Sequence, residues 1–271
     1  MPERAERTPG DVRFADIGGH RIEYRWIGLQ QIDHPVLVFL HEGLGCAGLW
    51  RDIPDVIAAA TGCSALVYSR PGYGNSGPAD LPRPARFMHD EALDMLPAVL
   101  DHFSIRHAIL IGHSDGGSIA LIHAGSDLAG DRIRGVVTLA AHVFNEEACR
   151  RGIEAARKAY AETDLRDRLA RYHGDNVDIA FRGWNDVWLS DGFRDWNIED
   201  ILPDIHVPLL VIQGQDDDYG TEAQVKSIVS TVSGPAEARM LADCGHSPHL
   251  QSRDAVTDHI VRFITPLLQK D

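Results

Sequence analysis

A serine between two glycines, directly after an apolar run, is the feature that most constrains how this chain folds. The run 109–111 ends at Gly112, Ser114 follows, and Gly116 lies at the start of a stretch compatible with a helix. A side chain at the tip of a tight strand-to-helix turn has a strained backbone, and small residues two positions away on either side let strand and helix approach closely. The helix would aim its N-terminal amides at a developing oxyanion. The pattern predicts a nucleophile elbow with Ser114 at its tip.

The size and charge of the chain limit the classes of function. A length of 271 residues is enough for one large α/β domain with an insertion. The net charge of −14 argues against nucleic acid and anionic membrane surfaces as partners, because both attract basic patches. No stretch of 18 apolar residues predicts a membrane span. We expect a cytoplasmic protein with a small-molecule substrate, and a homodimer is the candidate assembly.

The N-terminus and the cysteines carry no targeting or metal-binding pattern. Residues Met1–Arg7 are charged and have no apolar core behind them, unlike a secretory signal. The four cysteines lack C-x-x-C spacing, so we expect reduced thiols rather than a disulfide framework or a zinc site. Gly72-Tyr73-Gly74 lacks the third glycine of a dinucleotide fingerprint. The sequence therefore predicts no metal and no cofactor.

Apolar strand-like runs alternate with helical patterns along most of the chain, which predicts crossover connections and a mostly parallel sheet. Two alternating segments around Gly18-Gly19 indicate an initial hairpin, and a helix over Phe87–Phe103 is expected to kink at Pro97. The alternation stops within residues 144–203, which are charged, helix-prone and rich in tryptophan. We therefore expect a core of residues 1–143 and 204–271, with residues 144–203 as a helical cap.

Residues suited to assist a serine nucleophile follow the late strands of the predicted sheet. Such a nucleophile needs a base, and the base needs an orienting acid. The carboxyl ends of parallel strands meet at one edge, where ligands and reacting groups gather. Residues 216–218 are three consecutive aspartates after one strand, and His246 and His249 follow the last strand. The residues alone leave open which aspartate and which histidine take part.

Four segments, in order, resemble the α/β-hydrolase family. They are an oxyanion loop at 41–45, a structural loop at 70–76, the elbow at 112–116 and a histidine loop at 244–246. The resemblance covers nearly the whole chain except the cap, and the joint match is highly specific. It implies an α/β-hydrolase fold: a mostly parallel sheet flanked by helices, with an inserted helical cap. The chain order serine, aspartate, histidine is also the order of this family.

The resemblance assigns a role to each catalytic position. Ser114 corresponds to the nucleophile and His246 to the base. The acid usually lies three residues after the glycine that ends its strand, which gives Asp217 after Gly214. Four other residues then have other roles: Asp216 and Asp218 as solvated loop charges or turn formers, His249 as a structural or solvent-facing residue, and Glu146 as a disfavoured alternative acid.

The oxyanion hole is expected to combine two main-chain amides. One belongs to Asp115, directly after the nucleophile, and the other to the loop after the third strand. Alignment of His41 and Gly45 on the family pattern His-Gly-x-x-Gly places the second amide at Gly43.

Two carboxylates depart from the family pattern near this hole. Glu42 stands where glycine is usual, and we expect its side chain to turn away and cap an amide or pair with Arg70. For Asp115, a favourable interaction with the helix dipole is sufficient. A sharper hypothesis is that Asp115 faces the pocket and selects substrates with a hydroxyl or cationic group near the scissile carbonyl. Cap tryptophans are more often core residues, so the substrate contacts stay open, with Glu42, Trp184 and Trp188 as candidates.

The combined features predict a cofactor-independent serine hydrolase for a small or medium carboxylic ester or related acyl substrate, acting through an acyl-enzyme on Ser114. Two alternatives stay open on the same fold. The first is hydrolysis of a C–C bond in a ring-cleavage product, and the second is a ligand-binding receptor without catalysis. Epoxide hydrolysis and dehalogenation are disfavoured because those family members carry aspartate at the elbow.

Overall fold

Eight strands form one sheet in the computed structural model, which describes residues 11–29 and 34–268. The strands are β1 Val12–Ile17, β2 His20–Ile27, β3 Val36–Leu40, β4 Ala65–Tyr68, β5 Ala108–His113, β6 Ile133–Leu139, β7 Leu209–Gly214 and β8 Ala236–Leu241. Their order across the sheet is β1-β2-β4-β3-β5-β6-β7-β8. The β1–β2 and β2–β4 pairs are antiparallel and the others are parallel. The mostly parallel sheet is confirmed, whereas the interpretation of Met1–Arg7 lies outside the described residues.

Ten α-helices lie within the described ranges. They are α1 Ile53–Thr61, α2 Phe87–Asp90, α3 Leu96–His102, α4 Asp115–Ala124, α5 Glu147–Glu162, α6 Leu165–His173, α7 Val177–Trp188, α8 Glu222–Thr231, α9 Pro248–Gln251 and α10 Arg253–Leu267. The helix expected over Phe87–Phe103 is divided by a π-helical turn, Glu91–Met95, between α2 and α3. Pro97 lies in the first turn of α3, directly after this π-helical turn.

The central strands of the sheet are buried on both faces. In β3, Val36, Val38 and Leu40 belong to one apolar cluster, and Leu37 and Phe39 belong to the other. Helices α1 and α10 cover the second face, while α4, α8 and the insertion cover the first. Side chains that alternate between two covered faces explain why this strand reads as a continuous apolar run.

Helices α5, α6 and α7 come between β6 and β7, within the segment 144–203. The two ends of this segment are hydrogen-bonded to each other. The amide of Asn145 donates to Trp196 O (2.9 Å) and the amide of Ile198 donates to Val143 O (2.8 Å). These bonds close the insertion at its base, and we propose residues 144–203 as the cap.

The cysteines and the helix lengths bear on two further expectations. All four cysteines are buried free thiols: Cys46, Cys63, Cys149 and Cys244. Among the helices of residues 11–29 and 34–268, none combines the length and apolar character needed to cross a bilayer.

Close packing between β5 and α4 requires the two glycines of the predicted elbow. A Cβ on Gly112 would lie 2.2 Å from Gly116 O, and a Cβ on Gly116 would lie 2.0 Å from Leu40 O. Both neighbours are main-chain atoms, so a larger residue would have to displace a strand or a helix.

Gly116→Ala is therefore expected to destabilise the fold by about 2 kcal/mol or more, in the range of overpacked cores. Chemical denaturation would measure the free energy of unfolding. Gly48→Ala is the matched control, because its nearest neighbours would lie 3.8 Å away. We expect the control to change stability by less than about 0.5 kcal/mol, as at ordinary exposed positions. Equal stability of the two variants would contradict this account of the elbow.

Candidate active site

Ser114 occupies the turn between β5 and α4. Its backbone angles are φ 51° and ψ −118°, a conformation that is strained for a residue with a side chain. Hydrogen bonds hold it there: the Ser114 amide donates to Leu139 O (2.8 Å), and the Gly117 amide donates to Ser114 O (2.8 Å). The serine side chain therefore stands at the carboxyl edge of the sheet.

The structure brings Ser114, His246 and Asp217 together. His246 Nε2 lies 3.0 Å from Ser114 Oγ, and His246 Nδ1 lies 2.8 Å from Asp217 Oδ1 and 3.0 Å from Oδ2. A neutral imidazole that donates from Nδ1 to the carboxylate leaves Nε2 free to accept the serine proton. The arrangement can generate a serine nucleophile.

The Asp217 carboxylate has further donors around it. It accepts hydrogen bonds from the amides of Tyr219 (2.8 Å) and Gly220 (3.2 Å) and from Gln213 Nε2 (3.2 Å). Burial favours the neutral acid, but the hydrogen bond and charge of His246 outweigh it and hold the pKa of Asp217 below its usual value. The residue stays ionised and can stabilise an imidazolium.

The alternative acids and base lie elsewhere. Asp216 and Asp218 are exposed. Glu146 accepts hydrogen bonds from Thr221 and Gln224 near the start of α8. His249 is 3% exposed, so the solvent-facing alternative is wrong. The reason is that α9 directs its ring onto Trp50, with 4.9 Å between centroids.

The two amides expected for an oxyanion hole lie on adjacent loops. A Cβ on Gly116 would also lie 2.7 Å from His41 O, so the elbow packs directly against the loop after β3. The backbone of Gly43 is covered by the Trp184 indole of α7, which a Cβ would meet at 2.1 Å. Within residues 11–29 and 34–268, no hydrogen-bond acceptor contacts the Gly43 or Asp115 amide. Both amides therefore have a donor with no acceptor among these residues.

The Glu42 side chain does not do what the sequence predicted. Arg70 donates to the main-chain carbonyls of His41 and Glu42, not to the Glu42 carboxylate. The carboxylate instead faces His113, with 3.3 Å between Oε2 and Nδ1. Burial opposes ionisation of Glu42, but the hydrogen bond and charge of His113 hold its pKa far below the usual value. Sequence reasoning missed this partner because fourteen histidines make any single one uninformative.

Asp115 is completely buried at the N-terminus of α4. Trp188 Nε1 donates to Asp115 Oδ1 (3.2 Å), so this cap tryptophan meets the residue that follows the nucleophile. Among the described residues, Oδ2 has no hydrogen-bond partner. Burial raises the pKa of Asp115 to about 6, against the opposing charge of Arg70. A helix dipole alone does not explain a carboxylate that is buried with one free oxygen.

His142 is a further buried residue that the sequence did not single out. Its ring lies 5.7 Å from the His246 ring and 5.4 Å from the Trp188 ring. Its Nε2 lies 3.1 Å from Tyr219 O. Burial, reinforced by the charge of His246, lowers the pKa of His142 to about 4. The available signal was its position just after β6, at the carboxyl edge of the sheet.

A cleft of about 730 Å³ reaches the Asp217 loop. Its lining combines Leu44, Asp217 and Tyr219 with residues of α5 that are mostly small: Ala148, Arg151, Gly152, Ala155, Ala156 and Ala159. The cleft therefore lies between α5 and the loop after β7.

A mostly parallel α/β sheet with a serine elbow beside a histidine and an aspartate defines a class of hydrolase folds. Residues 37–259 match the model of the Alpha/beta hydrolase family. The chain belongs to this family, as the sequence predicted.

Individual relatives are more distant. The chain is 24% identical to a proline iminopeptidase of Lactobacillus delbrueckii subsp. bulgaricus, over 88% of this chain and 92% of the relative. It is 32% identical to a 2-succinyl-6-hydroxy-2,4-cyclohexadiene-1-carboxylate synthase of Klebsiella pneumoniae, over 54% of each chain. The enol-lactonase structure from Burkholderia xenovorans LB400 shares the fold, with a TM-score of 0.68 and 23% identity over 93% of this chain and 100% of that one.

The buried Asp115 carboxylate predicts a pH-dependent stability cost. Its raised pKa means that the unfolded chain ionises first as pH rises, so the native state loses stability between about pH 4 and pH 7. Asp115→Asn removes this loss. We expect the free energy of unfolding of the variant, relative to that of wild type, to rise by about 2–3 kcal/mol over that pH range. Denaturation curves at several pH values would measure the difference, and a difference independent of pH would contradict the prediction.

Proposed function

We propose that this protein is a cofactor-independent serine hydrolase that cleaves a small or medium carboxylic ester or related acyl compound. The observation that carries the proposal is the pair of contacts of His246, 3.0 Å to Ser114 Oγ and 2.8 Å to Asp217 Oδ1. These two contacts link the proposed nucleophile, base and orienting acid in one chain of hydrogen bonds.

Acylation follows from this geometry. Ser114 Oγ attacks the carbonyl carbon while its proton passes to His246 Nε2. The imidazolium then gives the proton to the leaving alkoxide as the C–O bond breaks. In deacylation, His246 takes a proton from water, the hydroxide attacks the acyl-enzyme, and the proton returns to Ser114. Asp217 holds the imidazole in the required tautomer and stays ionised throughout.

The amides of Gly43 and Asp115 supply the proposed oxyanion hole. Both are free of other acceptors among the described residues, and the N-terminus of α4 adds its dipole. Removal of one such donor typically costs about 10²–10³ in turnover. The indole of Trp184 against Gly43 would limit the space above the carbonyl, which makes this residue a candidate substrate contact.

The substrate class is inferred from the proposed cap and the relatives. A cap limited to residues 144–203 suits a small or medium compound rather than a polymer. The enol-lactonase that shares this fold acts, by its name, on a cyclic ester. The proline iminopeptidase relative is a peptidase by name, so amide hydrolysis is the competing activity for the same three residues.

Steady-state hydrolysis of p-nitrophenyl esters from acetate to octanoate is the first test. We expect turnover by wild type and a fall of about 10⁴-fold or more in Ser114→Ala, because the nucleophile is lost. The chain-length optimum would report the size of the acyl pocket. No turnover on any ester would overturn the proposal and favour C–C cleavage or ligand sensing.

Neighbouring aspartates provide matched controls for this experiment. Asp217→Asn is expected to lower kcat by about 10³–10⁴, because the imidazole loses its orienting carboxylate. Asp216→Asn removes the same charge from an exposed position and is expected to leave kcat unchanged. A larger loss of kcat in Asp216→Asn than in Asp217→Asn would assign the role of the acid to Asp216.

Selectivity for a cationic substrate tests whether the free oxygen of Asp115, Oδ2, contacts the substrate. The probes are the 2-naphthyl esters of alanine and of N-acetylalanine, which differ by a cationic amine next to the carbonyl. We expect wild type to favour the free amine and Asp115→Asn to reduce the ratio of kcat/KM values about tenfold, the value of a charge-assisted hydrogen bond. The ratio cancels any general damage to the oxyanion hole. An unchanged ratio would exclude Asp115 from substrate selection.

A further inference from the structure

One side-chain pair joins three of the four loops that carry the proposed catalytic groups. Glu42 belongs to the oxyanion loop, His113 ends β5 directly before Ser114, and His246 lies in the loop after β8. His113 Nδ1 is 3.3 Å from Glu42 Oε2, and His113 Nε2 is 2.7 Å from the main-chain oxygen of His246. The His113 side chain is 2% exposed and that of Glu42 is 25% exposed.

The partners of His113 define its protonation state. A main-chain carbonyl only accepts hydrogen bonds, so Nε2 carries a proton. An ionised carboxylate also only accepts, so Nδ1 carries one as well. An imidazolium at His113 satisfies both contacts, and its charge would cancel that of an ionised Glu42. Burial lowers the pKa of His113, but the hydrogen bond and charge of Glu42 outweigh it, and the pKa is raised.

Other titratable groups also face the His113 ring. The His246 and His249 rings lie 5.3 Å and 4.7 Å away, and Asp217 acts on His113 through its charge. Burial, with the charge of His113, lowers the pKa of His249 to about 3, so this neighbour is neutral near pH 7. Glu42 is the carboxylate in contact with His113, and it provides the compensating charge.

The oxyanion loop is shaped to admit the Glu42 carboxylate. A Cβ on Gly45 would lie 2.3 Å from Glu42 Oε2, so glycine is needed for the side chain to fold back over its own loop. The Gly45 amide donates to Glu42 O (3.0 Å) and Arg70 donates to the same oxygen (3.1 Å). The turn and the carboxylate position depend on each other.

We propose that Glu42 and His113 form a positioning pair, in which the charged ring holds the main chain of His246 and cancels the carboxylate charge beside the oxyanion hole. The inference rests on the proposed serine-hydrolase function. A fixed carbonyl at His246 aligns its imidazole with Ser114 and Asp217, where errors of about 1 Å cost about a hundredfold in rate. An uncompensated Glu42 charge would oppose the developing oxyanion.

NMR of the ring nitrogens, in protein that contains isotope-labelled histidine, tests the protonation state of His113 and needs no substrate. We expect both ring nitrogens of His113 to be protonated at pH 7 in wild type, with the signal assigned by its loss in His113→Gln. Glu42→Gln is expected to release one of the two protons. A neutral His113 ring in wild type would overturn the charged pair.

Kinetics of a double-mutant set test the positioning role. His113→Leu is expected to lower kcat about a hundredfold with KM within about threefold, since the loss is in alignment rather than binding. Glu42→Gln alone leaves the pair neutral and is expected to lower kcat less than His113→Leu does, because the ring can still donate from Nε2 to His246 O. Added to His113→Leu, Glu42→Gln is expected to restore about tenfold in kcat, because it removes the unpaired charge.

Two controls separate positioning from a general loss of structure. His123→Gln alters another buried histidine that contacts a main-chain oxygen, Ala92 O at 2.9 Å, and is expected to leave kcat unchanged. His113→Gln keeps one donor for His246 O without the charge, and an intermediate kcat supports the pair if His113→Leu does not fold. Wild-type kcat in His113→Gln, or a double variant no faster than His113→Leu, would overturn the inference.

A fluorophosphonate probe separates this inference from the proposed function. Labelling of wild type at Ser114 supports the nucleophile, and the rate of labelling in each variant is expected to follow kcat. An unlabelled and inactive wild type would overturn the proposed function, and the NMR measurement would then decide the charged pair by itself.

Discussion

The site depends on the close approach of β5 and α4 around Ser114. Glycines at 112 and 116 allow main-chain contacts that any Cβ would prevent, and they hold the serine at φ 51°. Gly116 also packs against the end of β3, which places the loop that carries Gly43 next to Ser114. Because the neighbouring strands are parallel, the loops after β6, β7 and β8 open at the same edge. The remaining groups of the site assemble around this turn.

The carboxylates around the turn differ in the partners that stabilise them. Asp217 is surrounded by donors and by His246, so it stays ionised. Glu42 Oε2 faces His113 Nδ1 across 3.3 Å, and the proposed charged pair would make a carboxylate compatible with the proposed oxyanion loop. Within the described part of the chain, Asp115 has a single donor, Trp188, and keeps an unsatisfied oxygen at a cost in stability. Such unsatisfied groups are expected where a site is shaped for a ligand rather than for stability.

Predictions from the sequence succeeded where the interactions are local along the chain, and they failed where the partners are far apart in sequence. The continuous apolar run of β3 and the spacing around Ser114 are local, and both predicted their structures. The register of three residues from Gly214 to Asp217 is also local, and it selected the aspartate that contacts His246. The prediction that Glu42 caps an amide or pairs with Arg70 was wrong. Its partner, His113, lies 71 residues away, and nothing near Glu42 in the chain indicates it. The contact of Trp184 with Gly43 depends in the same way on how the cap lies over the sheet.

The sequence by itself determined the α/β class, the elbow and the order of its serine, aspartate and histidine, because strand periodicity and turn chemistry are written in neighbouring residues. Only the tertiary structure decided which side chains contact the carboxylates around the elbow. Ion pairs and hydrogen bonds form between side chains brought together by the sheet order and the cap, and separation along the chain carries no information about those distances. His113 and Trp188 therefore gained their partners through packing, not through a motif.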